Sequence, residues 1–546
     1  MDERLADLPL PTPSESEPRA SASGRLSRLA WPLALGTALL VLIGVPMLAA
    51  GGGDLGNKPI NLSKRAEVGL KSADASLKAS ADGKWVAAVW SRGYDSRPDT
   101  AQVGNIVLKS ANVMTGWELQ VNVFSATASL WAQQPRLAFR PLPQSQSQIA
   151  AVWVVCRNRD EQCDTLQWTT CDIARYPDRC QSAQTLHSEA NANLSNPDLV
   201  YDNTGRLHFI WRKGLGTGNR GLFYRRQGGG VSQVAGTDLN SFNPSLAFGN
   251  DRLHLVWYQH HDTPASRRVR YSADKILSDD AWDALLQSHW KAPLLWRLTG
   301  GPGEPYVRPS IAAAGNTVYV GWDIYRLSET EGDVFHLAYD HSSDNGASWL
   351  TGPGGDGKAV PGAFFSDATS YRSPLDSMAE ESALRPSIAV SGSLPAVAWH
   401  LFTQVTEGGD TIYVIGYTSG ISAGGVISWQ VPVIITNDLN YDPREGIEED
   451  HSANPRLAIW PGGRLHIVHL GLWGGNPFDP KSDWDVYYRG AVITDTSSLP
   501  TPTRTPGPGT PTATPTRTPK PGGPTPTPTV YPYDDVNRAR LPVIRR

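Results

Sequence analysis

The chain predicts an all-β fold, a seven-bladed β-propeller of four-stranded antiparallel blades. Three observations lead there. A strand–turn–strand unit recurs along the middle of the chain. Its second strand ends in Trp in almost every copy. Long helical periodicity is nearly absent, while short apolar runs alternate with Gly, Pro, Asn and Asp, as in all-β chains.

The copies are numbered in chain order. Copies one and two are the loosest, "ASLKASADGKWVAAVWS" from Ala75 and "QPRLAFRPLPQSQSQIAAVWV" from Gln134. Copy three is "NPDLVYDNTGRLHFIWR" from Asn196, copy four "NPSLAFGNDRLHLVWY" from Asn243, and copy five "RPSIAAAGNTVYVGWD" from Arg308. Copy six is "RPSIAVSGSLPAVAWH" from Arg385, and copy seven "NPRLAIWPGGRLHIVHL" from Asn454. The second-strand Trp recurs as Trp90, Trp153, Trp211, Trp257, Trp322 and Trp399, with His469 in its place in copy seven. Each copy is followed by a third strand rich in aromatics, such as "GLFYRRQ", "VFHLAYD" and "DVYYRGA". A weaker fourth strand comes next, as in "GVSQVAG", "PLLWRLT" and "VPVIITN". Pro135, Pro197, Pro244, Pro309, Pro386 and Pro455 are spaced by 47 to 77 residues. A bare blade needs about 40–50, so long loops are expected. Copy seven lacks a fourth strand, whereas "INLSKRAEVGLKSAD" before copy one reads as a fourth strand without a blade. The start of the repeat region should therefore complete the last blade and remove an open edge. "KILSDDAWDALLQSHW" (275–290) is the one amphipathic helix candidate.

The flanks read differently. Residues 1–28 are polar and expected to be disordered. The run 29–50, "LAWPLALGTALLVLIGVPMLAA", is uncharged and would span ~33 Å as a helix, enough for a bilayer core. Arg25 and Arg28 before it favour an N-inside, signal-anchored orientation. A signal cleaved near "MLAA" and a secreted product is the alternative. The propeller is bounded at 58–494, outside the cytoplasm. Residues 495–546 form a Pro/Thr-rich stalk and tail, extended rather than packed.

Net charge is −4, and without a basic patch nucleic acid is not an expected partner. Cys156, Cys163, Cys171 and Cys180 are the only cysteines. In an oxidising compartment an even, clustered set implies two disulfides. Neighbour pairing, Cys156–Cys163 and Cys171–Cys180, is favoured over the other two pairings and over a zinc site. No cofactor and no metal are expected. The acidic loop 438–452 offers Asp438, Asp442 and Glu445 to a cation such as Ca²⁺, but reads more simply as solvated.

After the third strand of copy five stands "SSDNGASW", with Ser342, Asp344, Gly346 and Trp349 in the pattern S-x-D-x-G-x-x-W. Asp and Asn initiate turns, Gly supplies positive φ, and the Trp can fold back as a plug. The stretch resembles the Asp-box, or BNR, repeat of the sialidase superfamily, as does the "[NR]-P-S-[LI]-A … W" strand pair. "SADKILSDDAW" is a degraded echo. The resemblance implies a propeller with a structural Asp-box away from the active face. It also implies a search for three arginines, a Tyr/Glu nucleophile pair and an acid/base Asp. Residues just before the first strand and just after the second should share the channel mouth. They supply Arg308 and Arg385, then Arg212, Asp323 and His400, a set suited to a carboxylate because guanidinium forks match it. Arg136 and Arg456, one step past the proline, should face the other way by alternation. No Tyr/Glu pair declares itself, Tyr258, Tyr325 and Glu329 being only nearby, and no catalytic residue is assigned. The expected function is a membrane-tethered module that binds a carbohydrate or cell-surface protein. The alternative is a sialidase-like glycoside hydrolase.

Overall fold

In the computed structural model, the described residues are 60–63, 70–94, 104–112, 116–117, 122–125, 130–141, 147–158, 161–174, 180–260, 267–275, 282, 288–291, 307–328, 332–351, 358–359, 382–404, 411–423, 426–430, 433–434, 451–460, 463–472 and 484–492. The expected membrane segment, the stalk and residues 438–450 of the acidic loop lie outside them. Among the described residues no helix is long and apolar enough to cross a membrane.

Each of the seven sequence copies folds as an antiparallel strand pair. A third strand pairs antiparallel with the second in every copy. The innermost strands are Leu70–Ala79, Trp131–Phe139, Leu194–Tyr201, Ser241–Gly249, Ser310–Ala314, Ser382–Ser391 and His451–Ile459. Each adjoins the next, and the last adjoins the first, so they close a ring. One apolar cluster fills each junction, including that between copies seven and one. Trp90, Trp153, Trp211, Trp257, Trp322 and Trp399 are all buried in these clusters or beside them, and His469 is fully buried in its own copy.

Ring closure obeys the expected split. Ile60 and Asn61 pair with Tyr488 and Tyr487 of the last third strand. The Leu62 amide donates to Val486 O (2.7 Å), and Ser63 Oγ donates to Asp485 Oδ1 (2.6 Å). Leu62 is buried in the junction of copies seven and one. An N-terminal strand thus covers the edge that copy seven would otherwise expose.

The residue before the proline is more than a strand start. Gln134, Asn196, Asn243, Arg385 and Asn454, and Asp74 before Ala75 in the equivalent place, all take φ between 48 and 55°, and a β-bulge accompanies each. Asn and Asp tolerate this left-handed region best, which accounts for the recurring Asn-Pro. The bulge leaves an amide two residues past the proline to be satisfied by the neighbouring copy. Asp198 Oδ2 accepts from Leu246 N–H (2.8 Å), Ser310 Oγ from Ile388 N–H (3.0 Å) and Ser387 Oγ from Leu457 N–H (2.9 Å). The Ser of "RPS" and the Asp of "NPD" are therefore staples between inner strands.

Both expected disulfides are present, Cys156–Cys163 and Cys171–Cys180. The helix candidate is corrected at both ends. Lys275 closes a third strand, and Ser288–Lys291 is a strand paired with Arg268–Tyr271. The apolar spacing there reflects Trp282, which is buried. Ser288–Lys291 also takes the pairing position expected of "PLLWRLT", which lies outside the described residues.

Candidate functional site in the central channel

The two ends of each strand pair differ in kind. At the turn end, copy five carries the Ser342 clasp between its third strand and Lys358–Ala359. Ser342 Oγ donates to Asp344 Oδ1 (2.7 Å) and accepts from the Gly346 amide (2.8 Å). Asp344 Oδ1 accepts from Ser348 N–H (2.7 Å). The Ser348 hydroxyl leads in holding the Asp344 carboxyl down at about 2. Gly346 has φ +85°, and a Cβ there would fall 1.8 Å from Tyr271 Oη. Trp349 packs edge-on against Tyr271 of the preceding copy, with centroids 4.7 Å apart. The same edge-on contact recurs as Trp282 on Tyr224, Trp429 on Tyr339 and Trp117 on Tyr488. Three of these tyrosines hydrogen-bond a buried second-strand histidine: Tyr224 with His208 (2.6 Å), Tyr271 with His254 (2.8 Å) and Tyr488 with His466 (2.6 Å). Burial pulls the His254 and His466 pKa values down to about 4 and about 3. This end of the molecule is a repeated structure held together by its own side chains.

The other end is not. Val318 pairs with Ser342, but Asp323 pairs with Leu337, so Asp323 sits at the opposite end from the clasp. It is 1% exposed, and neither carboxylate oxygen closes a hydrogen bond of ordinary geometry. Burial pushes it up to about 7 against the pull of the Arg385 and Arg308 amides and guanidinium groups. His400 is buried beside the same arginines; desolvation, then Arg385 and Arg308, hold its ring neutral. Its Nδ1 accepts from Asn454 N–H (3.4 Å), and Arg385 Nη1 donates to Asn454 Oδ1. Among the described residues Arg385 is the one Arg that takes a left-handed φ, 54°, a conformation costing about 1–3 kcal/mol that concentrates at functional sites. The structure thus brings together Arg308, Arg385, Asp323 and His400. It does not place Arg212 with them. Arg212 Nε and Nη2 donate to Ser241 O (3.1 Å) and Leu239 O (3.3 Å), and its guanidinium lies 4.0 Å from the Phe242 ring centre, holding the next copy.

Arg136 and Arg456 correct the alternation argument. Arg136 feels Asp198, Asp74 and Arg308; Arg456 feels Arg136, Arg308, Asp198 and Asp74. Copies two and five are not neighbours in the ring, nor are copies five and seven, so these side chains meet across the central channel. The bulge before each arginine adds a residue and reverses the facing of the rest of the strand. Desolvation comes first in lowering the pKa values of Arg136 and Arg456, both only partly exposed, with mutual repulsion added, whereas Lys78 stays exposed beside Asp198, Arg456 and Arg136. Four cations, Lys78, Arg136, Arg308 and Arg456, therefore share the channel with two carboxylates, Asp74 and Asp198. The signal was present in the sequence. Aligned on the proline, the next column reads Ser76, Arg136, Asp198, Ser245, Ser310, Ser387 and Arg456. The arginines replace a staple with a charge.

Tyr258 is buried, with its hydroxyl 3.4 Å from His260 Nδ1. The side chains of Tyr325 and Glu329 lie outside the described residues, as do Asp438, Asp442 and Glu445. Among the described residues no His, Cys, Asp and Glu group could hold a metal ion.

No family model matches the chain, and no curated protein matches it. Solved structures do resemble it. An α-L-arabinanase of Penicillium chrysogenum complexed with arabinobiose is 12% identical, covering 77% of this chain and 93% of that one at a TM-score of 0.38. A Hadza microbial sialidase is 8% identical over 78% of this chain and 66% of its own, at 0.37. The β-propeller domain of the Trilobed protease from Pyrococcus furiosus is 9% identical over 78% and 97%, at 0.35. At these values no residue's role transfers from them.

Proposed function

We propose that this chain is a seven-bladed propeller of the sialidase-superfamily type, carrying one intact Asp-box at Ser342–Trp349. In this reading it is held outside the cytoplasm by the apolar run 29–50, and its channel mouth binds a carboxylated glycan without turning it over. One observation carries the reading: Lys78, Arg136, Arg308 and Arg456 converge across the channel with Asp74 and Asp198 against them. Cations crowded in this way gain by taking up an anion, and planar forks favour a carboxylate. Calorimetry with a free sialic acid and with its uncharged methyl ester tests this. The acid should bind, the ester should bind much more weakly, and affinity should fall with salt. Equal binding of acid and ester would remove the proposal.

A second reading, glycoside hydrolysis, is favoured by Asp323, a buried carboxyl raised to about 7 and so able to carry a proton at neutral pH. A synthetic aryl sialoside decides between them. Steady chromophore release that disappears in Asp323→Asn would make the protein an enzyme.

A further inference from the structure

A second cavity lies between copies two and three, at the turn end and away from the channel mouth. Its volume is 680 Å³, the size of pockets that hold small ligands. Its position is set by the Arg140–Gln148 and Asp202–Arg206 backbone pairings, which close the strand turns of the two copies beside it. The wall from copy two is formed by Thr170 to Asp172, Gln181 and Gln184 to Leu186, which the Cys171–Cys180 disulfide holds together. The floor is apolar: Leu186, Leu207, Phe209 and the ring of Tyr201, all buried. The partly exposed indole of Trp168 stands over Phe209, edge-on with centroids 5.5 Å apart.

The polar groups around this floor fall into two sets. The charged ones are engaged within the protein. Arg225 donates to Gly229 O (2.9 Å) and to Leu186 O, Arg140 donates to Gln148 Oε1, and Asp172 Oδ1 accepts from Ser147 Oγ (2.6 Å). Of the neutral ones, Gln148 takes the Arg140 bond and Gln227 Oε1 accepts from the Leu207 amide (3.3 Å), and the rest are open. Among the described residues Trp168 Nε1, Tyr201 Oη and the side chains of Gln181, Gln184, Thr170 and Thr185 make no hydrogen bond. An aromatic and aliphatic floor ringed by unpaired neutral donors and acceptors matches a molecule with apolar C–H faces and many hydroxyl groups.

We propose that this cavity is a second binding site, for a neutral saccharide of one or two sugar units, separate from the anion-selective channel. The aromatic rings would cover the sugar's C–H face. The indole N–H, the phenol and the glutamine amides would pair with its hydroxyls, which water alone satisfies otherwise.

The test is saturation-transfer NMR on the full chain with D-glucose, D-galactose, D-mannose and L-arabinose, each free and as a disaccharide, and with adenosine as a planar control. Calorimetry then measures the strongest binder. At least one neutral sugar should bind with an affinity that does not change with ionic strength. That affinity should fall about tenfold or more in Trp168→Ala and in Gln184→Ala, as when one anchor of a small site is lost. If Trp168→Ala does not fold, the double variant Gln181→Ala/Gln184→Ala, at exposed positions, carries the test. Binding of none of the sugars, preference for adenosine, or sugar binding that survives these substitutions would overturn the proposal.

Discussion

The turn end and the mouth end of the same strand pairs obey opposite rules. At the turn end the copies converge on one solution: a Trp set edge-on against the neighbour's Tyr, with that Tyr often bonded to a buried His. At the mouth end they diverge. Ser staples give way to Arg136, Arg456 and Asp198, and Arg385 holds a backbone conformation that Asn holds elsewhere. Repetition marks what the fold needs. Departure from it marks where stability has been given up, and such places are where a ligand is expected.

This contrast is breakable. The largest effect should come from the plug. Trp349→Ala removes a nearly buried indole and should cost about 3–5 kcal/mol, read by urea denaturation, while leaving carboxylate binding unchanged. Binding lost in step with stability would mean that the two ends are one cooperative site.

The next effect is on pH. Unfolded histidine titrates near 6.5, whereas His254 and His466 are held neutral down to about 4 and about 3. The unfolded chain therefore takes up protons first. The contribution is fully present above pH 6.5 and is lost as pH falls toward those values. At pH 5.5 each ring should cost about 1.4 kcal/mol, and His254→Gln should flatten the acid limb of the stability curve by that amount. Asp323 runs the other way. Its folded pKa is raised, so its contribution is lost as pH rises from the ordinary Asp range through about 7. Asp323→Asn should therefore become progressively more stabilising from about pH 4 to about pH 7 and level off above that. An unchanged slope in both variants would show that neither group titrates differently on folding.

Asp344→Ala should cost about 1–2 kcal/mol, by freeing the Ser348 and Ser342 donors that it accepts from, again with binding intact. The smallest effect should have the opposite sign. Arg456→Gln relieves like-charge crowding and desolvation, and should leave stability unchanged or raised by about 0.5–1 kcal/mol. A marked destabilisation would make Arg456 a structural ion partner rather than a site residue.

Much of the fold was legible because each copy repeats the same burial problem. The recurring Trp, the turn glycines and the missing fourth strand of copy seven all result from closing a ring of antiparallel units. The disulfide pairing was legible because the two short loops leave little slack. The bulge was not. Alternation assumes a regular strand, and six left-handed residues, five of them before prolines, reverse it. That is why alternation alone turns Arg136 and Arg456 away from the channel. The Trp282 clasp was legible as the degraded echo "SADKILSDDAW", whereas those at Trp117 and Trp429 escaped notice because no Ser-Asp-Gly turn surrounds them and the plug alone persists. Arg212 misled for a different reason. Its slot lines up with Asp323 and His400, but carbonyls of the neighbouring copy satisfy it first.

The central claim is that the channel cations form an anion site. It is tested most directly by calorimetry of free sialic acid against the full chain, beside Arg136→Ala/Arg308→Ala, with the urea midpoint measured on both. The account predicts saturable, salt-sensitive binding to the native chain, its loss in the double variant, and a midpoint unchanged or raised. Binding retained in the double variant with the same affinity, or a native chain that binds the acid no better than its methyl ester, would contradict it.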